Sequence, residues 1–200
     1  MDLLVELPLN RLSLCQFGYN VLRELYKRGD NVGVFPIGDV DLSAYKPSAE
    51  FMKWLQGCVD KRFQLLKRDV PAARIWHIQG SDNLRTPNQY LLTFYEASQP
   101  SDYEKTIVAL QKKTLFSSDY SAEKFAGVGN VGQFSCGFDP DFTPRGDKQH
   151  FPNKTCWGLI QKFEYRKQTE KIIRAWVKKY GNNKDHVLNL LVNNPFFKPE

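Results

Sequence analysis

The sequence predicts an α/β fold: a doubly wound, mostly parallel sheet over residues 1–140, then the opening of a second such unit over 155–200. Three observations carry this. Short apolar runs of strand length alternate with stretches of helical periodicity, the pattern of a sheet wound with helices. The first strand, helix and strand fit within some thirty-five residues, the size of one βαβ module. Asp139 to Lys154 is rich in Pro, Gly and charge and reads as a linker, bounded at 141–154.

In chain order, Leu3–Leu7 is the first strand, ended by Pro8. A polar loop, Asn10 to Gln16, feeds a helix in which Phe17, Val21, Leu22 and Leu25 recur at helical spacing, and Gly29 stops it. Val32–Pro36 is the second strand. Ser48 to Lys67 carries Phe51, Trp54, Leu55, Val59, Phe63 and Leu66 on one face and reads as one helix. Arg74–Ile78 and Tyr90–Tyr95 are the third and fourth strands. Ser101-Asp102-Tyr103-Glu104 has the form of a capping box and opens a helix through Gln111. Thr114–Ser117 is the fifth strand, Asp119 to Ala126 a short helix and Asn130 to Ser135 the sixth strand. Past the linker, Cys156–Ile160 and Val187–Val192 are strands around a helix with Ile172, Ile173, Trp176, Val177 and Tyr180 on one face.

The charge balance narrows the partners. The net charge is +6, and residues 161–200 hold nine basic and four acidic side chains, so +5 of it lies there. A basic end suggests an anionic ligand near Lys162–Lys167 and not a protein-wide nucleic-acid surface. The four cysteines are far apart, with no Cys/His cluster, which predicts reduced thiols and no zinc site. The first residues are too short and acidic for a signal peptide, and no run has the length of a membrane span. A cytoplasmic protein without nucleic-acid or membrane partners is the expectation.

Ligands of such sheets sit outside the carboxyl ends of the strands. That directs attention to Asn10–Gly18, Ile37–Asp41, His77–Asp82, Glu96–Ser98 and Ser117–Tyr120. Gln16-Phe17-Gly18 either brings backbone N–H groups to a phosphate at a helix start or packs tightly there. It is not a dinucleotide fingerprint, which disfavours a nicotinamide dehydrogenase. His77 is either a core residue or a catalytic one, and Glu96 either caps a turn or faces a ligand. Asp39 and Asp41 read as turn formers, Tyr165 and Trp176 as packing residues. Lys162 and Lys167 bracket a strand-to-helix turn, where two ammonium groups and a helix N-terminus could meet one anion; the alternative is a solvated turn.

Phe17-Gly18-Tyr19-Asn20 with Glu24-Leu25 and Lys27-Arg28-Gly29 resembles the first loop and helix of family 4-type glycosyltransferases of the GT-B fold. Leu91 to Ser98, Phe116 to Ser121, and Gly137-Phe138-Asp139 with Phe142 and Pro144 are similar to later stations of the same domain. Gln161 to Lys167 resembles the turn opening the second domain, with Lys162 in place of the usual arginine and Lys167 matching the usual lysine. The resemblance implies two Rossmann-like domains facing each other across a cleft, an acceptor-side domain over 1–140 and the beginning of a donor-side domain over 155–200. It implies a hexosyltransferase-type enzyme that transfers sugar from a nucleotide-diphosphate sugar to a carbohydrate or other hydroxyl acceptor. Retention of configuration, no metal and no cofactor beyond the donor substrate are implied with it. Gly18, Lys162 and Lys167 would contact the donor diphosphate. His77, Glu96 and Ser118 would lie on the acceptor side, with His77 the candidate catalytic residue.

The family's Glu-x7-Glu element would fall past Glu200. The sequence therefore predicts an incomplete donor-side domain, inactive alone and completed by a missing C-terminal half or by oligomerisation. A noncatalytic α/β module for carbohydrate or nucleotide is the competing expectation.

Overall fold

The computed structural model describes residues 1–137 and 150–194. The chain divides into two compact units, Met1–Asp139 and Pro140–Glu200. Most of the expected linker, 141–149, lies outside the described residues, as do Phe138, Asp139, Phe142 and Pro144.

In the first unit β1 (Asp2–Pro8) leads through α1 (Ser13–Arg28) to β2 (Asn31–Ile37). Then come α2 (Ala49–Asp60), α3 (Arg62–Leu66), β3 (Ala72–Ile75) and β4 (Gln89–Thr93). The unit closes with α4 (Asp102–Leu110), β5 (Lys113–Phe116), α5 (Asp119–Glu123) and β6 (Val131–Gln133). The six strands form one sheet in the order β2-β1-β3-β4-β5-β6, and every pairing is parallel. Helices cover both faces, so the fold is a generic Rossmann-like, doubly wound one.

Side chains alternate across the strands, which sorts the core into two layers. Val5, Leu7, Val32, Val34 and Ile75 pack against Cys15, Leu22 and Leu25 of α1 and Phe51 and Leu55 of α2. On the opposite face Leu4, Phe35 and Ala72 meet Leu65 of α3. Farther along that face Leu91 and Phe116 meet Ile107 and Val108 of α4, with Phe125 beyond α5. The capping box expected at Ser101 and Glu104 is present at the start of α4.

The single helix expected from Ser48 to Lys67 is two. The chain breaks at Lys61, and α3 crosses to the other face of the sheet, so Leu65 is buried there while Phe63 is 54% exposed. Gly33 permits this: a Cβ on it would lie 2.9 Å from the Arg62 Cα. Helical periodicity continues through the break because both pieces are amphipathic, so sequence spacing does not register it.

The first helix also opens earlier than expected, at Ser13, which puts Gly18 inside it and not at its start. Gly18 is buried, and a Cβ there would lie 2.6 Å from Leu7 Cδ1. Leu7 is fully buried and has little room to yield. Gly18→Ala is expected to destabilise the first unit by about 1–3 kcal/mol through overpacking. Gly57→Ala, in α2 with nothing among the described residues within 4 Å of its Cβ position, should stabilise by about 0.5–1 kcal/mol. Urea unfolding of both variants checks this, and a neutral Gly18→Ala would refute the packing role.

The second unit is β7 (Thr155–Lys162), α6 (Thr169–Tyr180) and β8 (His186–Asn193). The two strands pair in parallel as a sheet of their own. Trp157 stacks on Tyr180 with ring centroids 5.2 Å apart, and Ile173, Trp176 and Tyr180 of α6 are half-buried. Ile172 and Val177, expected on the same face, are 39% and 55% exposed. A two-strand surface is narrower than the apolar stripe of a core-facing helix, so the margins of the stripe stay outside. Among the described residues no helix is long and apolar enough to cross a membrane.

Candidate functional site

The strand order reverses between β1 and β3, since the chain winds from β1 to β2 on one side and then returns to β3 on the other. In a doubly wound sheet the crevice outside the carboxyl ends of that pair is where ligands bind. Here it is flanked by residues 9–12 after β1 and by Trp76 and His77 after β3.

The loop after β1 is held firmly. Asn10 Oδ1 accepts from the Leu12 N–H at 3.0 Å, and the Asn10 N–H donates to Cys15 Sγ at 2.9 Å. The Tyr45 hydroxyl donates to the Asn10 carbonyl at 3.0 Å, and the Asp41 N–H donates to the Leu9 carbonyl at 2.6 Å. Burial pushes the Cys15 thiol above its ordinary range. Burial, and secondarily the bond to Cys15, raises the Tyr45 phenol strongly. Both therefore stay neutral at pH 7 and act as supports. Arg11 projects from this loop, its side chain 69% exposed, and meets Asp41 at 3.4 Å. Asp41 also accepts from the Ser43 N–H and hydroxyl, so it is the turn former expected.

His77 lies two residues beyond β3, not within a strand, because the ladder stops at Ile75. Its side chain is exposed, with the Trp76 ring 5.1 Å away. Its carbonyl accepts from the Ser81 hydroxyl at 2.6 Å. Glu96 is exposed, three residues past β4. Ser118 is the N-cap of α5; its hydroxyl accepts from the Ser121 N–H at 3.2 Å and donates to Ser121 Oγ at 2.9 Å. That hydroxyl is thus engaged in holding the loop. All three stand on the carboxyl edge of the sheet, but only His77 borders the β1/β3 crevice. At about 4.8 Å per strand, the β4 and β5 ends bearing Glu96 and Ser118 lie one and two strands farther out. Gly18 is not brought to this edge: as the sixth residue of α1 its N–H belongs to the helix ladder.

The basic turn of the second unit lies at the carboxyl end of β7. Lys162 is the last residue of that strand, a 3-10 turn spans Tyr165–Lys167, and α6 begins at Thr169. Gln168 between them adopts φ 55°, a left-handed conformation that costs a non-glycine residue roughly 1–2 kcal/mol. Hydrogen bonds hold it there. The Gln168 N–H and side-chain amide both donate to the Tyr165 carbonyl, at 3.0 and 2.9 Å. Gln161 Nε2 donates to Thr169 Oγ1 at 2.8 Å and to the Lys167 carbonyl at 3.2 Å. These bonds define the turn, with Lys162 and Lys167 half-buried at its two ends. The Gln168 side chain, at the N-cap position, makes no cap hydrogen bond to the start of α6. Tyr165, expected to pack, is 91% exposed, because the turn points it away from the strands.

Sequence reasoning missed two charged members of this turn. Glu164 is 20% exposed and pairs with Arg166 Nε at 2.9 Å, with Lys162 Nζ 3.9 Å away. The charges at 162, 164 and 166 are visible in the sequence, but Arg166 lies in the 3-10 turn beyond β7, where strand alternation no longer applies, so their pairing is not. Comparison with protein-family models, curated proteins and solved structures gave no match.

Proposed function

We propose that the chain belongs to a glycosyltransferase of the GT-B type, in which the second unit binds the diphosphate of a nucleotide-sugar donor and the first receives a hydroxyl acceptor. The observation that supports it best is the hydrogen-bonded turn at the carboxyl end of β7, with Lys162 and Lys167 at its two ends and the N-terminus of α6, which Gln168 does not cap through its side chain, beside it. Cations and helix N–H groups there would offset the negative charge that grows on a departing diphosphate. No metal is needed in this reading, and configuration at the sugar is retained. His77, at the β1/β3 crevice, is the residue of the first unit assigned to the acceptor hydroxyl; Glu96 and Ser118 border that side.

A noncatalytic carbohydrate- or nucleotide-binding module is favoured by one observation: among the described residues His77 has no carboxylate partner to orient it as a base. The two readings separate in one experiment. Two charge-assisted contacts of about 1.5–3 kcal/mol each imply a dissociation constant of roughly 0.05–5 mM. Calorimetric titration with a panel of nucleotide-diphosphate sugars should show saturable binding in that range for at least one nucleotide. Transfer or release of radiolabelled sugar from that donor would support the enzyme, and binding without any turnover the module. No binding up to about 10 mM would refute both.

A further inference from the structure

The anion position of the basic turn already holds an anion, and it is part of the chain. Glu164 is less exposed, at 20%, than either cation it faces, Lys162 at 34% and Arg166 at 63%. Its backbone is fixed as well: the Glu164 N–H donates to the Lys162 carbonyl at 2.9 Å, and its carbonyl accepts from the Lys167 N–H at 3.0 Å. The main chain thus holds the carboxylate beside the two cations. An incoming diphosphate would find Arg166 engaged and a negative charge fixed within the turn.

We propose that Glu164 is a built-in competitor at the donor-diphosphate site, an inference that rests on the glycosyltransferase reading of that turn. An anion with two or more charges outcompetes the single carboxylate for Arg166 and Lys162, whereas a singly charged one does not. Glu164 thereby selects diphosphates over monovalent anions and weakens retention of the diphosphate product. In the ligand-bound state Arg166 turns from Glu164 to the ligand, and Lys162 is shared between them. The site is thus set for exchange and not for tight capture.

The test uses inorganic pyrophosphate and acetate as probes of the full chain, by calorimetry at low ionic strength. Glu164→Gln removes the charge with nearly unchanged volume and should raise pyrophosphate affinity about three- to thirtyfold, the range for one nearby charge partly screened by solvent. It should also narrow the preference for pyrophosphate over acetate. Arg166→Ala should lower pyrophosphate affinity more in the Glu164→Gln background than in the unmodified chain, a non-additivity that a merely structural glutamate would not produce. Circular dichroism establishes that each variant folds. Equal affinity in the chain and in Glu164→Gln would overturn the competitor role and leave the diphosphate reading standing. A lower affinity in Glu164→Gln would show that Glu164 supports the turn, and the proposal would be withdrawn. Pyrophosphate binding to neither protein would remove the diphosphate site together with its competitor.

Discussion

Glu6→Ala is expected to destabilise the first unit by about 3–5 kcal/mol, as removal of one partner from a buried ion pair does. Glu6 on β1 is 6% exposed, and Arg74 beside it on β3 is 8% exposed. Their charged ends are 3.4 Å apart, and Arg85 adds bonds from Nε and Nη2 at 3.2 and 2.8 Å. Arg74 Nη1 also donates to the Asn83 carbonyl at 2.9 Å, while its Nε finds no acceptor among the described residues. Burial already lowers the Arg74 pKa, and Glu6 is the main opposing influence. Without Glu6 a buried guanidinium would be left with little to offset its desolvation. Arg85, at 35% exposure, could turn to water and loses less. The double variant Glu6→Leu/Arg74→Met should be much closer to the unmodified chain, because an apolar pair leaves no orphan charge. Urea unfolding followed by circular dichroism measures both. A double variant as unstable as Glu6→Ala would place the cost in packing and not in the unpaired charge.

If the proposed donor site is correct, Lys167→Ala should weaken binding of a nucleotide-diphosphate sugar about ten- to a hundredfold, the loss of one charge-assisted contact of roughly 1.5–3 kcal/mol. Where turnover is measured, the fall should be at least as large, because charge builds on the leaving group and each 1.36 kcal/mol is about a factor of ten. Lys171, exposed and the third residue of α6, four residues beyond Lys167, is the control, and its replacement by Ala should change affinity less than about twofold. The Lys167 backbone holds the turn through its N–H and carbonyl, which the substitution retains, so Lys167→Ala is expected to fold. Equal losses at the two positions would mean that general surface charge attracts the donor. The diphosphate role of Lys167 would then be dropped.

Much of the fold was legible because strand and helix each impose a period on the buried side chains. Leu3 to Leu7, Val32 to Pro36 and the Ser101 capping box lie where their spacing and caps put them. The misjudged positions share one cause: a residue's neighbours in space are not its neighbours in sequence. Gly18 read equally well as phosphate loop or packing glycine, and its close approach to Leu7 on the adjacent strand is visible only in the structure. The helix break at Lys61 follows from Gly33, some thirty residues earlier, which lets the Arg62 backbone close on β2. Tyr165 carries no local mark of its 91% exposure.

The candidate site divides in the same way. The sequence alone placed His77, Glu96 and Ser118 near strand ends and Lys162 and Lys167 around a turn, because apolar runs show where strands stop. It also located the charge excess, since charge is additive along a chain. Which strand end borders the crevice depended on the strand order β2-β1-β3-β4-β5-β6. That order arises from crossovers, and no local pattern encodes it, so only the tertiary structure singled out His77 from Glu96 and Ser118. The pairing of Glu164 with Arg166 and Lys162 was likewise decided by the turn, through the left-handed Gln168 and the hydrogen bonds of Gln161 that fix where each side chain points.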